Sequence, residues 1–413
     1  MGANKLVIIL LDGFRWDYWT RDEPAMKAFE IIKSTGVCAR GLEPVFPVLS
    51  YPNWVTIGTG VYVDKHGFIG NYMVDPSKEK HERLFHLRQK DTQQLAHWWE
   101  GSPEPIWTTA TKQGKRVFTR LWSRADVPFD GILPEEAMGY EDAPGVDAIE
   151  NTLGIGIEKL LEGFDLVMLY GEHIDNVGHA HGPDSVEIKT AVREVDAALH
   201  KFFRQLEELN LSETVNVIVV SDHGMTGTGK DTGTTYVSLG DYITEDDVDV
   251  VLESGTNLSI TPSPGKLEEV YAKLQQIEGA FVWKRDEIPD ELNFKSSRYA
   301  LEIYVLAKPG YFIRGLQSQK KQIPFRELHP DHMYCEGVHG YTPELPDQKG
   351  IFVACGPDFK QNCIVPEIRM VDLYQVFAKV MGITPLAHDG CWDNVSGIFA
   401  TNNNNYSSPT ECV

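Results

Sequence analysis

The chain has 413 residues, of which 42% are apolar and 24% are charged, as in a soluble globular protein of one large or two medium domains. Asp and Glu outnumber Lys and Arg by 60 to 38, so the formal net charge is −22. Since there is also no basic run, this balance argues against a nucleic-acid partner. The six cysteines form no C-x-x-C pair, which argues against a thiolate zinc site and a disulfide-rich scaffold.

The apolar stretch Leu6–Leu11 is too short to cross a bilayer and lacks a small-residue cleavage site, so we predict a buried strand there. We therefore expect that any signal peptide has been removed, and no hydrophobic tail marks a membrane anchor. The sequence gives no indication of oligomeric state. Asn-x-Ser sequons favour an extracellular or cell-surface glycoprotein, and they lie at Asn210, Asn257, Asn394 and Asn405.

The first predicted strand, Lys5–Leu11, is mostly apolar and leads directly into Asp12. Such runs are typical of central strands in a parallel sheet, and ligands bind beyond the carboxyl ends of those strands. Asp12 is therefore either a turn residue before Gly13 or part of a binding site. A helix is predicted at about residues 23–36.

Ser50 begins the next predicted helix, with Pro52 in its first turn. One interpretation is that Ser50 only caps the helix, since serine is a preferred N-cap residue. The other is that its hydroxyl attacks a phosphate held at the helix N-terminus, where free N–H groups and the helix dipole favour an anion. A serine hydroxyl is a weak nucleophile, so the second interpretation requires a base or a metal. Asn71 follows in a polar loop.

Two more buried strands are predicted at Val117–Trp122 and Asp165–Tyr170. The second leads into Asp175 and His179, whose spacing of four residues places them on one face of a helical turn. A carboxylate and an imidazole at this spacing suit a pair of zinc ligands, and an exposed polar loop is the alternative. The most regular helix is predicted at about residues 185–209.

The buried strand predicted at Val215–Val220 ends close to Asp222 and His223. From about residue 240 to 332, shorter strands and several prolines predict a smaller inserted lobe, and a later loop carries His339. A further strand and a short helix complete the main sheet.

These elements predict one catalytic domain over residues 1–385 and a polar tail over residues 386–413. Cys391 and Cys412 flank that tail. They form either a disulfide, as in an oxidising compartment, or two free thiols.

Acidic and imidazole groups thus follow three predicted strands, and His339 adds another. Oxygen and nitrogen ligands without cysteine suit zinc, and the set is too large for one ion but sufficient for two. Two Zn²⁺ ions carry +4, and Asp12, Asp175 and Asp222 contribute −3, so ionisation of Ser50 would neutralise the remainder. Two metals about 3.5–4 Å apart can stabilise both the attacking and the leaving oxygen of an in-line displacement.

Six segments between about residues 5 and 385 together resemble the nucleotide pyrophosphatase/phosphodiesterase family of the alkaline phosphatase superfamily: LLDGFRWDY, SYPN, GNYM, EHIDNVGHAHGPDS, SDHGMT and GVHGY. The resemblance implies an α/β fold with a doubly wound, mostly parallel sheet and a smaller inserted lobe. It also implies two zinc ions and a small-molecule phosphodiester substrate. Within the family, the chain most resembles the choline-specific glycerophosphodiester phosphodiesterase branch, because it has serine at position 50. Other members of the family have threonine at this position.

The resemblance also implies a role for each matching residue. Ser50 would be the nucleophile and would bridge towards the metals. Asn71 and the backbone N–H after Ser50 would hold the non-bridging phosphate oxygens, in an oxyanion-hole role. The remaining residues would be zinc ligands: Asp12, Asp222 and His223 for one ion, and Asp175, His179 and His339 for the other.

The sequence departs from the family pattern in two places. Thr342 follows Tyr341 where the family has aspartate, and the cysteine pair of the choline-specific branch is missing after the predicted strand Val117–Trp122. A sulfatase is disfavoured because Trp54 occupies the place of its arginine. The neutral Asn71 suits a diester better than a phosphomonoester, and the intact ligand set argues against a catalytically inactive binding protein.

The expected substrate is a choline phosphodiester such as glycerophosphocholine or lysophosphatidylcholine, cleaved to release phosphocholine. Aromatic faces and a nearby carboxylate recognise choline, and Tyr170, Glu172, Trp122 and Asp126 follow neighbouring strands. These side chains are alternatively core aromatics and solvated acids. The other substrate considered is a nucleotide phosphodiester, hydrolysed to a nucleoside 5′-monophosphate.

Overall fold

The computed structural model describes residues 5–21, 26–326 and 334–400. Its largest element is an eight-stranded sheet in which most neighbouring strands are parallel, while Phe352–Cys355 runs antiparallel to both of its neighbours. In spatial order the strands are Cys363–Val365, Gly36–Ala39, Phe352–Cys355, Val215–Val220, Lys5–Leu11, Leu166–Gly171, Val117–Arg120 and Glu136–Ala137.

Both faces of this sheet are buried under helices. Leu6, Ile8 and Leu10 pack into one apolar core, and the alternate residues of the same strand pack into a second core on the opposite face. The helices are Tyr18–Arg21, Lys27–Thr35, Ser50–Thr59, Val63–His66, Lys90–Gln93, Ile106–Lys112, Val146–Leu161, His173–His181, Val186–Glu208, Leu267–Leu274, Leu373–Met381 and Trp392–Val395. This three-layer arrangement confirms the predicted doubly wound α/β class.

The predicted elements agree with the observed ones to within a few residues. The helix expected at residues 185–209 is Val186–Glu208, and Ser185 caps it by accepting a hydrogen bond from the backbone N–H of Ile188. The strand expected at Val117–Trp122 ends at Arg120, because Leu121 has a left-handed backbone with φ 57°.

A second, five-stranded sheet lies within residues 248–323 and has its own apolar core. We call this part of the chain the inserted lobe. Helix Leu267–Leu274 packs against the sheet. In spatial order its strands are Ala280–Lys284, Ile303–Ala307, Asn257–Pro262, Val248–Leu252 and Gln322–Ile323.

Four two-stranded sheets complete the described fold, and the last of those given below pairs a strand outside the lobe with a strand of the lobe. They pair Leu42–Glu43 with Ile368–Arg369, Tyr72–Val74 with Leu84–His86, Thr226–Gly227 with Gly337–Val338, and Thr235–Ser238 with Tyr311–Arg314.

Two surface features bear on the expected location of the protein. Among the sequons, the side chains of Asn210 and Asn394 are exposed, whereas Asn257 is only 3% exposed and is therefore not accessible to a glycan in the folded chain. Asn405 lies outside the described residues. Cys391 is disulfide-bonded, and Cys412 also lies outside the described residues. Among the described helices, none combines the length and apolar character needed to cross a membrane.

The central strands Lys5–Leu11, Leu166–Gly171 and Val215–Val220 are adjacent and parallel. Their carboxyl ends therefore meet at one edge of the sheet, the usual position of ligand sites in open α/β folds. The segments that carry Asp12 and Asp222 leave the sheet at this edge.

Candidate active site

Ser50 lies at the start of helix Ser50–Thr59, whose ten residues are all buried. The N-cap position is occupied by Leu49, and no side-chain capping bond forms there among the described residues. The interpretation of Ser50 as a simple N-cap is therefore wrong. Its Oγ atom instead lies 3.3 Å from Nε2 of His223, a residue that follows a central strand. The hydroxyl is thus directed towards the sheet edge.

Asp12, Asp222 and His223 form the first ligand cluster, with one ligand atom of each within 4.8 Å of the others. Nε2 of His223 lies 3.4 Å from Oδ1 of Asp12 and 3.4 Å from Oδ2 of Asp222. All three side chains are buried. The grouping is the one that the family resemblance implied for the first zinc ion.

Asp175, His223 and His339 form a second cluster with the same closeness of ligand atoms. Nε2 of His179 lies 3.4 Å from Oδ1 of Asp175, and both residues belong to helix His173–His181. The polar-loop alternative for this segment is therefore wrong. Nε2 of His339 lies 3.9 Å from the same carboxylate oxygen, so the second expected ligand set is also brought together.

Each of the three histidines directs Nδ1 at a backbone carbonyl oxygen. His179 donates to Gly337 at 2.8 Å, His223 to Gly224 at 2.9 Å, and His339 to Val48 at 2.8 Å. A carbonyl oxygen only accepts hydrogen bonds, so Nδ1 must carry the proton. Nε2 of each ring is then left with a lone pair directed at the site, the arrangement found in metal-binding histidines.

The electrostatics of the two clusters favour a bound cation. Burial raises the pKa of Asp12 well above its ordinary value, and the neighbouring Asp222 and Asp175 carboxylates raise it further. Oδ1 of Asp12 and Oδ1 of Asp175 are buried without a hydrogen-bond partner among the described residues. Buried carboxylate oxygens without partners are costly, and a divalent cation would satisfy them. The donor set fits zinc, which takes histidine nitrogen and carboxylate oxygen.

Asn71 lies beside the start of the Ser50 helix. Its Oδ1 accepts a hydrogen bond from the backbone N–H of Tyr51 at 3.0 Å. This N–H is the group that was expected to hold a phosphate oxygen together with Asn71, and here it is bonded to Asn71 itself. The bond orients the amide so that Nδ2 is the end available to an oxygen next to Ser50.

Trp54 is a site residue that the motif analysis did not identify as one. Its Nε1 donates a hydrogen bond of 2.6 Å to Oδ2 of Asp222. Trp54 lies four residues after Ser50, on the same side of their helix. This spacing is the only signal in the sequence that could have placed it at the site.

The four predicted head-group residues do not form an aromatic cage. Tyr170 is 3% exposed, and its hydroxyl donates a hydrogen bond to Oδ2 of Asp12, a member of the first ligand cluster. Trp122 is 1% exposed within the core. Neither ring can reach a substrate, because each is covered by the packing of the central layers.

The two predicted acids are already engaged in local hydrogen bonds. Oδ2 of Asp126 accepts from Nε2 of Gln94 at 2.8 Å. Glu172 accepts from the Tyr140 hydroxyl at 3.2 Å and from the backbone N–H of Ala143 at 3.0 Å. The expected choline pocket built from these four residues is therefore wrong in its geometry.

A cavity of about 610 Å³ instead opens beside His179 and is lined largely by residues of the inserted lobe and its flanks. The rings of Tyr236 and Phe312 are stacked, with centroids 4.7 Å apart, and the guanidinium of Arg314 lies 4.7 Å from the Tyr236 ring centre. Arg88 also lines the cavity. The sequence analysis missed this surface, since no local motif connects its members.

A model of one protein family matches residues 6–342 and is described as "Type I phosphodiesterase / nucleotide pyrophosphatase". The chain belongs to this family. Members of the family are hydrolases of phosphoric diesters, so the expected enzyme class is confirmed, and the family is metal-dependent. The six motifs therefore identified the family correctly.

Human ectonucleotide pyrophosphatase/phosphodiesterase family member 5 is 28% identical to this phosphodiesterase over 402 residues, which cover 96% of this chain and 78% of that protein. Human family member 7 is 29% identical over 398 residues, covering 94% and 82% of the two chains. The structure of inactive murine member 5 in complex with AMP is 28% identical, with a TM-score of 0.85, and covers 96% of this chain and 100% of that one. This match confirms the alkaline-phosphatase-like fold.

Proposed function

We propose that this chain hydrolyses phosphodiesters with two bound zinc ions and with Ser50 as the nucleophile. The observation that supports this most directly is the position of Ser50 Oγ, 3.3 Å from Nε2 of His223. His223 belongs to both ligand clusters, so the hydroxyl lies where two metal ions would meet.

Asp12, Asp222 and His223 would hold one ion, and Asp175, His179 and His339 would hold the other. When bound, the two zinc ions supply positive charge that favours the ionised serine and stabilises the developing charge on phosphate. The surrounding residues keep the ligands in place. Trp54 and Tyr170 each donate a hydrogen bond to a ligand carboxylate, which fixes the orientation of Asp222 and Asp12.

Ser50 Oγ attacks phosphorus, and the bond from phosphorus to the leaving-group oxygen breaks. The product of this step is a phosphodiester that joins Ser50 Oγ to the retained ester group, together with a free alcohol or phosphate. Water then attacks the phosphorus of this intermediate, the Ser50 Oγ–phosphorus bond breaks, the serine regains its proton, and the retained group is released as a phosphomonoester. Asn71 donates a hydrogen bond from Nδ2 to a non-bridging oxygen in both steps.

The variant Ser50→Ala tests this mechanism. It should bind zinc and keep its fold but lose nearly all hydrolysis of a chromogenic diester such as bis-p-nitrophenyl phosphate. Brief reaction of the parent enzyme followed by an acid quench should trap a p-nitrophenyl phosphate group on the peptide that contains Ser50. Substantial activity in Ser50→Ala with full zinc content would mean that water, and not serine, attacks phosphorus.

For the substrate, the lobe cavity favours a nucleotide phosphodiester. Its stacked Tyr236 and Phe312 rings offer a flat surface for a base, and Arg88 and Arg314 complement phosphate groups. The murine member 5 structure is a complex with AMP, which agrees with this choice. The products would be a nucleoside 5′-monophosphate and the second esterified group.

A choline phosphodiester such as glycerophosphocholine or lysophosphatidylcholine is the second candidate, and two observations favour it. Burial raises the pKa of Glu172, so its ionised form lacks full stabilisation and would gain from a nearby cation. The net charge of −22 would also attract a cationic head group.

The ratio of kcat/KM for two esters distinguishes the candidates: the p-nitrophenyl ester of a nucleoside 5′-monophosphate and p-nitrophenylphosphocholine. Bis-p-nitrophenyl phosphate serves as the reference, since it carries neither group. We expect the nucleotide ester to be preferred. A clear preference for phosphocholine over both would assign the choline reaction and leave the two-zinc mechanism unchanged.

We further propose that the protein acts outside the cell or at its surface. The disulfide at Cys391 suits an oxidising compartment, and the exposed Asn210 and Asn394 are accessible sequons. The names of both human relatives carry the prefix "ecto". Digestion of secreted protein with an N-glycosidase should lower its mass; an unchanged mass would remove the support from the sequons.

A further inference from the structure

Asn71 is held by three hydrogen bonds from three different parts of the chain. Its side-chain oxygen accepts from the N–H of Tyr51, and its backbone carbonyl accepts from the N–H of Leu87 at 3.0 Å. Its own backbone N–H donates to Oε1 of Glu253 at 2.8 Å. Of these three partners, Glu253 is the one that carries a charge and the one that belongs to the inserted lobe.

The backbone of Glu253 is fixed from both sides. The residue directly follows lobe strand Val248–Leu252, its N–H donates to the carbonyl of Ile323, and its carbonyl accepts from Nε2 of Gln322. Its φ is +65°, a left-handed conformation that costs energy for a side chain of this kind. The two backbone hydrogen bonds hold Glu253 in this strained conformation and so fix the direction in which its side chain leaves the backbone.

The close approach of the carboxylate to the Asn71 loop explains the glycine in the segment Gly70–Met73. A β-carbon on Gly70 would lie 3.0 Å from Oε1 of Glu253, closer than ordinary van der Waals contact. A side chain at position 70 would therefore require the Glu253 carboxylate to shift by a few tenths of an ångström.

The electrostatic surroundings show that the contact is more than packing. Burial raises the pKa of Glu253 to about 7, while hydrogen bonds from the Asn71 and Tyr72 N–H groups and the charge of Arg326 oppose that rise. The two N–H groups are thus the stabilising partners of a carboxylate that burial disfavours. Glu253 is partly buried, and it belongs to neither of the two ligand clusters found among the described residues.

We propose that Glu253 is a positioning residue, through which the inserted lobe sets the location of Asn71 relative to Ser50. The carboxylate accepts a hydrogen bond from the backbone N–H of Asn71 itself and so fixes the loop that carries the amide. This inference rests on the proposed role of Asn71 at the phosphate. It gives the lobe a part in the chemical step in addition to lining the cavity.

Glu253→Ala and Glu253→Gln test the proposal with bis-p-nitrophenyl phosphate, which avoids any effect of the cavity on substrate preference. Glu253→Ala should lower kcat about tenfold to 10²-fold, as is usual for a group that orients a functional residue, with KM and zinc content unchanged. Glu253→Gln keeps an oxygen acceptor and should restore most of kcat. Asp249→Ala, an exposed acid of the same lobe strand, is the matched control and should match the parent enzyme.

A double-mutant cycle with Asn71→Ala separates this inference from the proposed function. If Glu253 acts through Asn71, adding Glu253→Ala to Asn71→Ala should cause little further loss of kcat. An unchanged rate in Asn71→Ala alone would overturn the proposed role of Asn71. A slow Asn71→Ala with a fast Glu253→Ala, or additive losses in the cycle, would overturn only the positioning role.

Gly70→Ala provides a second route if Glu253→Ala folds poorly. The added methyl group should displace the carboxylate and lower kcat by a smaller factor than Glu253→Ala. Combined with Glu253→Ala, it should cause no additional loss, because the atom it meets is gone. A loss of the same factor in both backgrounds would contradict the proposal.

Discussion

The metal-ligand edge of the central sheet and the cavity beneath the inserted lobe meet at His179 but are built in different ways. At the sheet edge, Asp12, Asp222 and His223 follow strands that are adjacent and parallel, and all three side chains are buried. The cavity instead draws its rings and arginines from the lobe and from segments outside it, which include Tyr236 and Arg88. The first ligand cluster is therefore supported by one continuous sheet, whereas the cavity is assembled from separate segments.

This difference in construction suggests a division of roles: the sheet edge determines the reaction, and the cavity determines the substrate. Ligands that follow sheet strands keep their mutual distances as long as the sheet is intact, so the reaction class is a property of the fold itself. Cavity residues on the loops of the lobe do not belong to the ligand clusters, by contrast, so they are freer to vary. The two regions should accordingly respond differently to perturbation.

The largest effect should come from removing the metal. Treatment with a strong chelator such as 1,10-phenanthroline should abolish hydrolysis of every diester alike, since all ligands lie at the sheet edge, and Zn²⁺ should restore it. Metal analysis of the active enzyme should find two zinc ions per chain. Fewer than two, or activity that survives complete chelation, would contradict the two-zinc proposal.

Loss of the Asn71 amide should have the next largest effect. Asn71→Ala should lower kcat by about 10²–10³, the usual effect of removing one oxyanion donor, with zinc content unchanged. The loss should be similar for the nucleotide ester and the plain diester. Asn151→Ala is a suitable control, because Asn151 is exposed on helix Val146–Leu161. A loss confined to one substrate would place Asn71 in the specificity region instead.

A change in the cavity should act on one substrate class only. Arg88→Gln should lower kcat/KM for the nucleotide ester about tenfold, as expected for loss of one charged hydrogen bond, and leave bis-p-nitrophenyl phosphate unaffected. Arg83→Gln, an exposed neighbour outside the cavity lining, is the control. Equal losses for both esters in Arg88→Gln would remove the distinction between the two regions.

The smallest effect should be on stability, at the contact between the two regions. The pKa of Glu253 is about 7 in the folded state against an ordinary 4.5, so the folded state binds its proton more tightly than the unfolded state does. This contribution to stability is present below pH 4.5 and is lost as pH rises through 7. Glu253→Gln should therefore stabilise the protein more at pH 8 than at pH 5. The difference in the free energy of unfolding should be at most about 3 kcal/mol, and it is measured as a larger rise in Tm at pH 8. An equal difference at both pH values would show that the carboxyl group is not perturbed.

The sheet and the clustering of the proposed ligands at its edge could be predicted from the sequence because both rest on local signals. Apolar runs mark buried strands, and three of these runs are followed within a few residues by an acid or a histidine of the clusters. The wrong expectations concern burial. Trp122 and Tyr170 were placed near the substrate by their position after a strand, but only the packing of three layers shows that their rings point inwards.

The cavity could not be predicted, for the same reason that the role of Glu253 could not. Arg88 and Phe312 are more than 200 residues apart, and Glu253 is 182 positions from Asn71. Contacts between residues so far apart in sequence depend on how the lobe packs against the rest of the fold. Neither hydrophobic periodicity nor a short motif predicts that packing. The glycine at position 70 is a local sequence feature related to this contact, but its role is evident only once the Glu253 carboxylate is known to lie beside it.

The place of His339 in the chain has a consequence for biosynthesis. A ribosome that has released residues up to His223 has already supplied the first ligand triad, but the second set still lacks its last imidazole for more than a hundred residues. Strand Phe352–Cys355, which covers one edge of Val215–Val220, emerges later still. A nascent chain of intermediate length therefore cannot assemble the paired site. The proposed hydrolytic centre is therefore completed only after the lobe has been made.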